Sequence, residues 1–382
     1  MQVALGEDSV PLLDNQWFSL RRRGRFLAAH LKCPHLVLST SQINGGQTEH
    51  VRYLLNHQSC EGKEHTGKHH ELHQLDRNAY HDAVCGEAGV PAETTALMGT
   101  AANMQYASVV SESYQEATVW AAATAGVHGN AGRAGDPAAW HEGENGYQPV
   151  HAVPGTINVL VLFNVPLTPA ALTRAVATMT EGKSALLQEL AIPSRYSPHL
   201  ATGTGTDQFC LAAPLDANRK PKTWTGKHAK LGEILGKAVV EAIRDALRWQ
   251  NGLEPSRTRH LVHALGRFGL EENRLRETMG VQLNDQDRAL LLANFQAILH
   301  EPQVAGAAYA LAAVQDRIAF GTLSKGVAQE LLVNQAALLA ATLASKTESF
   351  AAFRAVLSDA TVADLPTLVA QALALGWQAK WK

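Results

Sequence analysis

Residues 156–165 read Thr-Ile-Asn-Val-Leu-Val-Leu-Phe-Asn-Val, a mostly apolar run that predicts a β-strand. Thr168-Pro169 follows and is typical of a helix start with proline in the first turn, and residues 170–190 have helical spacing. A second short apolar run, residues 210–213, predicts another strand. Strands that alternate with helices indicate an α/β fold, whose functional loops we expect at the strand ends.

Upstream segments continue this alternation. Residues 36–38 and 117–125 are apolar runs that predict strands, and residues 48–56 have the spacing of a helix. We therefore expect residues 1–250 to form an α/β domain, a sheet of alternating strands and helices.

Residues 251–382 have a different composition, rich in Ala, Leu, Gln and Arg. Their helical periods break at Asn284-Asp285, Glu301-Pro302, Gly321 and Leu365-Pro366. These features predict five or six helices and no strand. We expect an all-α C-terminal extension that serves packing or homo-oligomerisation.

The bulk composition excludes several classes of protein. The chain has 382 residues and a formal net charge of −2, without the basic excess of nucleic-acid-binding proteins. No apolar run approaches the roughly 18–20 residues of a membrane span, and residues 1–14 lack the features of a secretory signal. The four scattered cysteines are typical of reduced thiols. We expect a cytoplasmic protein with no nucleic-acid or membrane partner.

Residues 201–207, Ala-Thr-Gly-Thr-Gly-Thr-Asp, carry the strongest chemical signal. Glycines let backbone N–H groups approach a ligand, threonines add short hydroxyls, and Asp207 can hold or move a proton. The segment is interpreted as a ligand-facing loop. A Gly/Thr hairpin capped by Asp207 is the structural alternative.

Histidines are concentrated between His50 and His81, which hold seven of the 17. His65, His69 and His73 recur at i, i+4 and i+8, a spacing that can bind zinc on a helix. The surrounding Gly and Lys residues disfavour a stable helix, so a solvated loop is the alternative. We predict no metal site and no required cofactor.

Two turns and one helical glycine also indicate positions where a ligand or another backbone segment comes close to the chain. Asn44-Gly45-Gly46 follows a strand and precedes the expected helix, so its N–H groups can face a ligand oxygen; a plain connection explains the spacing equally well. Asn130 follows another strand and can pair with an amide, or can simply occupy a turn. Gly182, inside a helix, suggests a neighbouring backbone or ligand.

Taken in chain order, eight blocks resemble the adenosylcobinamide amidohydrolase family of corrinoid salvage. The blocks are residues 38–46, 56–58, 98–102, 124–131, 155–158, 180–183, 201–207 and 228–233. Together they cover roughly residues 35–245. Two departures are Gly182, where alanine is expected, and the helical extension, which lies outside the family core.

The resemblance implies hydrolysis of the amide that joins the aminopropanol arm to the corrin ring's propionate. The products would be adenosylcobyric acid and 1-amino-2-propanol, so that a scavenged corrinoid re-enters cobalamin synthesis. The partner it implies is a corrinoid small molecule.

An unactivated amide needs a nucleophile or base, stabilisation of the oxyanion and a proton for the departing amine. Asp207 or Glu181 is the predicted base, and the predicted proton donors for the amine are Lys183, His57 and His228. A Thr156 nucleophile is a further alternative, which requires self-cleavage after Gly155 to expose its amine.

Substrate contacts are expected from backbone and side-chain groups of the same blocks. The predicted binding residues are Asn44, Gly45, Gly46, Asn130, Asn158, Thr202, Thr204 and Thr206. The N–H groups near residues 44–46 or 204–206 would bind the oxyanion, and the two later asparagines would read the amide-rich rim of the corrin.

Three other functions remain open on the residues alone. A corrinoid carrier or sensor would bind through the same loops without hydrolysis, and a metal-dependent hydrolase would use the histidine-rich segment. A helical scaffold leaves the Gly/Thr/Asn blocks unexplained.

Overall fold

The expected α/β region and the expected helical extension are both confirmed in a computed structural model. It describes residues 9–59, 75–138, 140–143, 146–149, 155–359 and 364–381. The chain divides into two compact units, Met1–Leu253 and Glu254–Lys382.

The strands all lie in the first unit among the described residues. In chain order they are β1 Val10–Asp14, β2 Phe18–Arg23, β3 Phe26–Leu31, β4 His35–Ser39, β5 Gly46–Thr48, β6 Tyr53–Gln58, β7 Thr95–Thr100, β8 Ser108–Tyr114, β9 Ala117–Ala125, β10 Ala131–Gly132, β11 Trp140–Gly143, β12 Gly146–Pro149, β13 Ile157–Phe163, β14 Gly203–Thr204 and β15 Gln208–Pro214.

The helices of the described residues occur in both units. Those of the first are α1 Arg77–Ala88, α2 Pro169–Glu189 and α3 Lys230–Asn251. Those of the second are α4 Pro255–Thr258, α5 Leu261–Leu265, α6 Glu272–Val281, α7 Asp285–Leu299, α8 Pro302–Ala319, α9 Lys325–Ala344, α10 Phe350–Asp359 and α11 Leu365–Lys380.

Six strands form the sheet that carries most of the motifs, in the order β5-β4-β15-β13-β9-β8. β13 pairs in parallel with β15 and antiparallel with β9, and β4 pairs antiparallel with β15. Strands β13 and β15 therefore begin at the edge where β4 and β9 end. We call this edge the loop edge, and the predicted functional loops meet there.

A second sheet, of order β1-β2-β3-β6-β7, packs on the first. One hydrophobic cluster joins the two sheets, with Phe18 and Met98 on one side and Leu160 on the other. The outer face of the six-stranded sheet packs on α2 and α3, and the outer face of the five-stranded sheet packs on α1. The first unit thus has four layers, helices outside and two sheets inside.

All seven residues of β13 are buried, because it lies between paired neighbours in its sheet and between apolar layers on both faces. This explains the continuous apolar run in place of a strict alternation. Helix α2 begins as predicted, with Thr168 accepting a hydrogen bond from the Ala171 N–H and Pro169 in the first turn.

The close approach expected at Gly182 is to the neighbouring helix α3. A Cβ atom added at Gly182 would lie 3.4 Å from Val240 Cγ2 and 3.6 Å from the Gly236 carbonyl oxygen. The glycine therefore sets the distance between two helices, a packing role that needs no ligand.

The prediction of a helix over residues 48–56 is wrong. Residues 53–58 form β6, with every residue buried between β3 and β7. The apolar run Tyr53-Leu54-Leu55 fits both the helical and the strand period. Pairing with β3 and β7 on its two sides selects the strand. Asn44-Gly45-Gly46 consequently leads into β5, so no helix N-terminus forms there.

The second unit is helical throughout its described residues, 254–359 and 364–381. Several predicted breaks fall at helix starts, where Asn284, Glu301 and Asp364 cap α7, α8 and α11 through their side chains. Small residues allow close packing, since a Cβ added at Gly376 in α11 would lie 2.5 Å from the Ala340 carbonyl oxygen in α9.

Among the described residues, α9 is long and apolar enough to span a membrane by length and composition. Its buried alanines and leucines belong to the core of the second unit. A core helix of a bundle passes the same test.

We predict that acidification below about pH 6.5 destabilises the start of the helical unit. His260 Nδ1 accepts the Val262 and His263 N–H groups at the start of α5, at 3.1 and 3.4 Å. Burial lowers the His260 pKa, and the neighbouring His300 lowers it further. The unfolded chain therefore binds the proton more readily, and the free energy of unfolding falls as pH falls through this range.

Hydrogen exchange of residues 254–300, corrected for the intrinsic pH dependence, measures this effect in the full chain. His260→Asn retains a capping oxygen and should remove most of the pH dependence, whereas His260→Ala should cost about 1 kcal/mol at neutral pH. Equal pH dependence in His260→Asn and in the original chain would contradict the assignment.

Candidate active site

Asp207 lies at the loop edge, immediately before β15, and one of its oxygens joins two segments. Oδ1 accepts the Ile157 N–H at 3.0 Å, at the first residue of β13. It also accepts the Thr204 hydroxyl at 2.6 Å. Asp207 therefore ties the Gly/Thr loop to the start of the central strand.

The other oxygen, Oδ2, accepts the Thr204 N–H at 3.0 Å and forms an ion pair with Lys183 of α2. A carboxylate offers about four lone-pair sites, and these contacts fill them. The side chains of Lys183 and Asp207 are 14% and 17% exposed, so the pair is shielded but still reached by solvent. Lys183 has three N–H donors, so two can bind other acceptors.

Gly203 is required by this ion pair. A Cβ atom at that position would lie 2.4 Å from Asp207 Oδ2 and 3.0 Å from Lys183 Nζ. The glycine expected to admit a ligand thus admits the protein's own charged groups.

The Gly155 carbonyl lies beside this loop and has two side-chain donors. Asn130 Nδ2 donates to its oxygen at 3.1 Å, and Thr206 Oγ1 donates at 2.9 Å. The hydroxyl of the next residue, Thr156, donates to the Thr206 carbonyl at 2.6 Å. Residues 130, 155–156 and 206 therefore form one hydrogen-bonded group.

Tyr196, which sequence reasoning missed, orients Asn130. Its hydroxyl donates to Asn130 Oδ1 at 2.6 Å. Asp136 fixes the Tyr196 loop by accepting the Ser194 hydroxyl at 2.5 Å. Burial raises the pKa of Asp136, but hydrogen bonds from Ser194 and other groups outweigh it, so the pKa is lowered overall. None of the matching blocks includes Tyr196, although it precedes the 201–207 block by five residues.

A chain of buried amides continues from Thr156 into the space between the sheets. The single Thr156 hydroxyl proton is shared between the Thr206 carbonyl, at 2.6 Å, and Asn158 Oδ1, at 3.3 Å. Asn158 Nδ2 donates to Asn56 Oδ1 and to the Gly99 carbonyl, each at 2.9 Å. Asn56 Nδ2 in turn donates to Thr124 Oγ1 at 2.9 Å. Asn158 is fully buried, so it supports the site from within.

Several predicted site residues are brought together at the loop edge by these contacts. They are Asn130, Asn158, Lys183, Thr204, Thr206 and Asp207. Thr202 lies beside them, and its backbone groups are paired within the protein. Its N–H donates to the Gly132 carbonyl, and its own carbonyl accepts the Ser184 hydroxyl.

Glu181 and His228 lie apart from this group. Glu181 is two residues from Lys183, and such positions do not share a helix face. It pairs with Lys227, is 57% exposed, and lines an open groove of about 830 Å³ between α2 and α3. His228 is exposed in the loop before α3.

The four remaining predicted residues, Asn44, Gly45, Gly46 and His57, also have local structural explanations. Asn44 Nδ2 donates to the Ala92 and Thr95 carbonyls. A Cβ at Gly45 would overlap the Ser41 carbonyl oxygen at 1.7 Å, and Gly46 is the first residue of β5, where it pairs with Ser39. His57 stacks on Phe26 and contacts Tyr80, on the face of β6 opposite Asn56. Alternation along the strand is the signal that could have directed attention to Asn56.

The described residues contain no group of three or more His, Cys, Asp or Glu side chains arranged to hold a metal ion. His65, His69, His70 and His73 lie outside the described residues. The prediction that these histidines form no metal site therefore stays a prediction.

Comparisons with known proteins give one family and two similar chains. The model of the family described as adenosylcobinamide amidohydrolase matches residues 14–255. An uncharacterized protein of Methanocaldococcus jannaschii, MJ1613, is 36% identical over 185 residues, covering 46% of this chain and 71% of the relative. The crystal structure of the PH0078 protein from Pyrococcus horikoshii OT3 covers 63% of this chain and 83% of its own, at 13% identity and a TM-score of 0.30, too weak a likeness to bear on fold or function.

We predict strong coupling between Lys183 and Asp207. Asp207→Asn leaves a shielded ammonium without its counter-charge and should cost about 2–4 kcal/mol, whereas adding Lys183→Met should recover part of that loss. Hydrogen exchange of β13 and β15 in urea measures each step. Additive effects of the two substitutions would contradict the coupling.

Proposed function

We propose that this chain, which belongs to the adenosylcobinamide amidohydrolase family, hydrolyses the amide between the aminopropanol arm and the corrin propionate of adenosylcobinamide. The products are adenosylcobyric acid and 1-amino-2-propanol. Water is the only co-substrate, and the corrinoid is the substrate and not a cofactor. We assign the reaction to cobinamide salvage for cobalamin synthesis in the cytoplasm.

The observation that carries this proposal is the Lys183–Asp207 ion pair beneath the Gly/Thr loop. The family match spans every residue that builds it, from β13 through α2 to β15. A cation held at the end of a sheet, next to exposed Gly205 and Thr206, suits a reaction in which an amide oxygen gains negative charge.

Lys183 is assigned the electrostatic role. Two of its N–H donors can face the substrate carbonyl, stabilise the oxyanion and pass a proton to the departing amine. Attraction to Asp207 and the helix packing of α2 fix the ammonium in place before the substrate binds, so little reorganisation is needed in the transition state.

Asp207 is assigned the positioning role in this mechanism. Its oxygens already accept four hydrogen bonds, so abstracting a proton from water would require breaking one of them. The geometry therefore favours Asp207 as the group that orients Lys183 and the loop. Glu181 is the other predicted base. Among the described residues it pairs with Lys227, and no contact with this cluster supports it in that role.

We expect purified protein to convert adenosylcobinamide to adenosylcobyric acid and aminopropanol, both detected by mass spectrometry. Product with and without EDTA supports hydrolysis that needs no added metal. Product only without EDTA would move the histidine-rich segment to the centre of the mechanism. A shifted corrinoid absorbance with no product would instead support a binding protein.

Lys183→Met and Asp207→Asn should each lower kcat at least about a hundredfold, because the first removes the cation and the second removes the carboxylate that orients it. The matched control is Lys237→Met, an exposed lysine on α3 that pairs with Glu233. Steady-state kinetics should show the control unchanged. Near-normal kcat in Lys183→Met would remove that residue from the mechanism.

A further inference from the structure

The carbonyl of the peptide bond between Gly155 and Thr156 accepts two hydrogen bonds from side chains. Two side-chain donors, Asn130 Nδ2 and Thr206 Oγ1, point at the Gly155 carbonyl oxygen at 3.1 and 2.9 Å. Paired donors on one carbonyl are what stabilises the oxyanion of an acyl-transfer intermediate. Tyr196 fixes the first donor by binding the other end of the Asn130 amide.

A nucleophile is adjacent to that carbonyl. Thr156 Oγ1 belongs to the residue that follows the Gly155 carbonyl carbon, and its hydrogen bonds to the Thr206 carbonyl and Asn158 Oδ1 hold it in the same group. Gly155 packs too tightly for a side chain, since a Cβ there would lie 3.0 Å from both the backbone nitrogen and Cβ of Asn130. The absence of a side chain therefore lets Asn130 lie directly against this peptide.

We propose that the chain cleaves itself between Gly155 and Thr156, and that the freed Thr156 becomes the nucleophile of the amidohydrolase. Thr156 Oγ attacks the Gly155 carbonyl carbon, the C–N bond breaks, and the hydroxyl proton passes to the departing Thr156 nitrogen. The resulting ester joins Gly155 to Thr156 Oγ. Water hydrolyses it to a Gly155 carboxyl group and a free Thr156 hydroxyl, so the net change is hydrolysis of one peptide bond.

Self-cleavage supplies the base that the described cluster otherwise lacks, because the oxygens of Asp207 are occupied. A free α-amino group has a pKa of about 7.7–8.0, so near neutrality a useful fraction is unprotonated beside its own hydroxyl. The same two donors that held the Gly155 carbonyl are then free to bind the oxyanion of the substrate alongside Lys183. This second role rests on the proposed function, whereas the cleavage itself does not.

The sequence contains its own control. The dipeptide Gly-Thr occurs five times, and Gly321-Thr322 lies in the helical unit, where the Thr322 hydroxyl donates to the Arg317 carbonyl. General chemical lability of Gly-Thr bonds would cleave there as well. Cleavage confined to residue 156 would identify the local geometry as the cause.

Intact-mass spectrometry and N-terminal sequencing of the purified full chain test the proposal. We expect two polypeptides, residues 1–155 and 156–382, the second beginning Thr-Ile-Asn. Thr156→Ser should still cleave, Thr156→Ala should not, and Thr206→Val should cleave about 10–100 times more slowly because one donor is lost. Thr322→Ala, the matched control, should cleave like the original chain.

Turnover of adenosylcobinamide, measured on the same samples, separates the two proposals. An uncut chain that turns over the substrate overturns self-cleavage and leaves the amidohydrolase standing. A cut chain without turnover supports self-cleavage and overturns the amidohydrolase. Equal cleavage in Thr156→Ala would mean an external protease and overturn self-cleavage, and an uncut, inactive chain would overturn both.

Discussion

A partly buried carboxylate must find as many hydrogen bonds in the protein as it had in water, and Asp207 meets this requirement from three separate segments. Its donors come from the start of β13, from the loop before β15 and from α2. Removing any one leaves a shielded charge incompletely paired, which costs more than the bond itself contributes. The need to satisfy this one group therefore constrains the relative placement of strand, loop and helix, which apolar packing also holds together.

The sheet topology makes that arrangement possible. Parallel pairing of β13 and β15 brings two chain segments about 50 residues apart to the same edge, with Asn158 opposite Gln208. Antiparallel β9 ends at that edge as well, which places Asn130 beside Gly155. The intervening helix α2 returns along the outer face, where Lys183 reaches back to the loop. The motifs are distant in sequence and adjacent in space because the crossover connects parallel neighbours.

Much of the fold could be predicted from local pattern. The apolar runs at residues 117–125 and 156–165, and the Thr168-Pro169 helix start, give strands and a helix close to their observed bounds. The second sheet could not be found this way, because Tyr53-Leu54-Leu55 fits either period and only its neighbours β3 and β7 select the strand. Its presence is a property of long-range pairing, which a window of sequence does not contain.

The residue types of the candidate site could be predicted from the sequence, but their arrangement in space could not. The Gly/Thr block with Asp207 and Lys183 could be singled out, since glycine and short hydroxyls before a carboxylate are rarely needed for packing alone. Which member of a block faces the site depends on strand and helix phase. The blocks therefore predict His57 and Glu181 beside Lys183, whereas Asn56 and Lys183 are the members that contact the cluster. Tyr196 depends on a loop whose shape Asp136 determines, and no spacing encodes that contact.

The amide chain from Thr156 through Asn158 and Asn56 to Thr124 has a mechanical meaning. Two apolar sheet faces can slide over each other with little loss of contact, because the hydrophobic effect has no direction. Hydrogen bonds in a dry layer do have direction, and a displacement of about 1 Å leaves buried amides unsatisfied. These few polar groups therefore resist sliding of one sheet over the other. They make the two stacked sheets a rigid support for the residues at the loop edge.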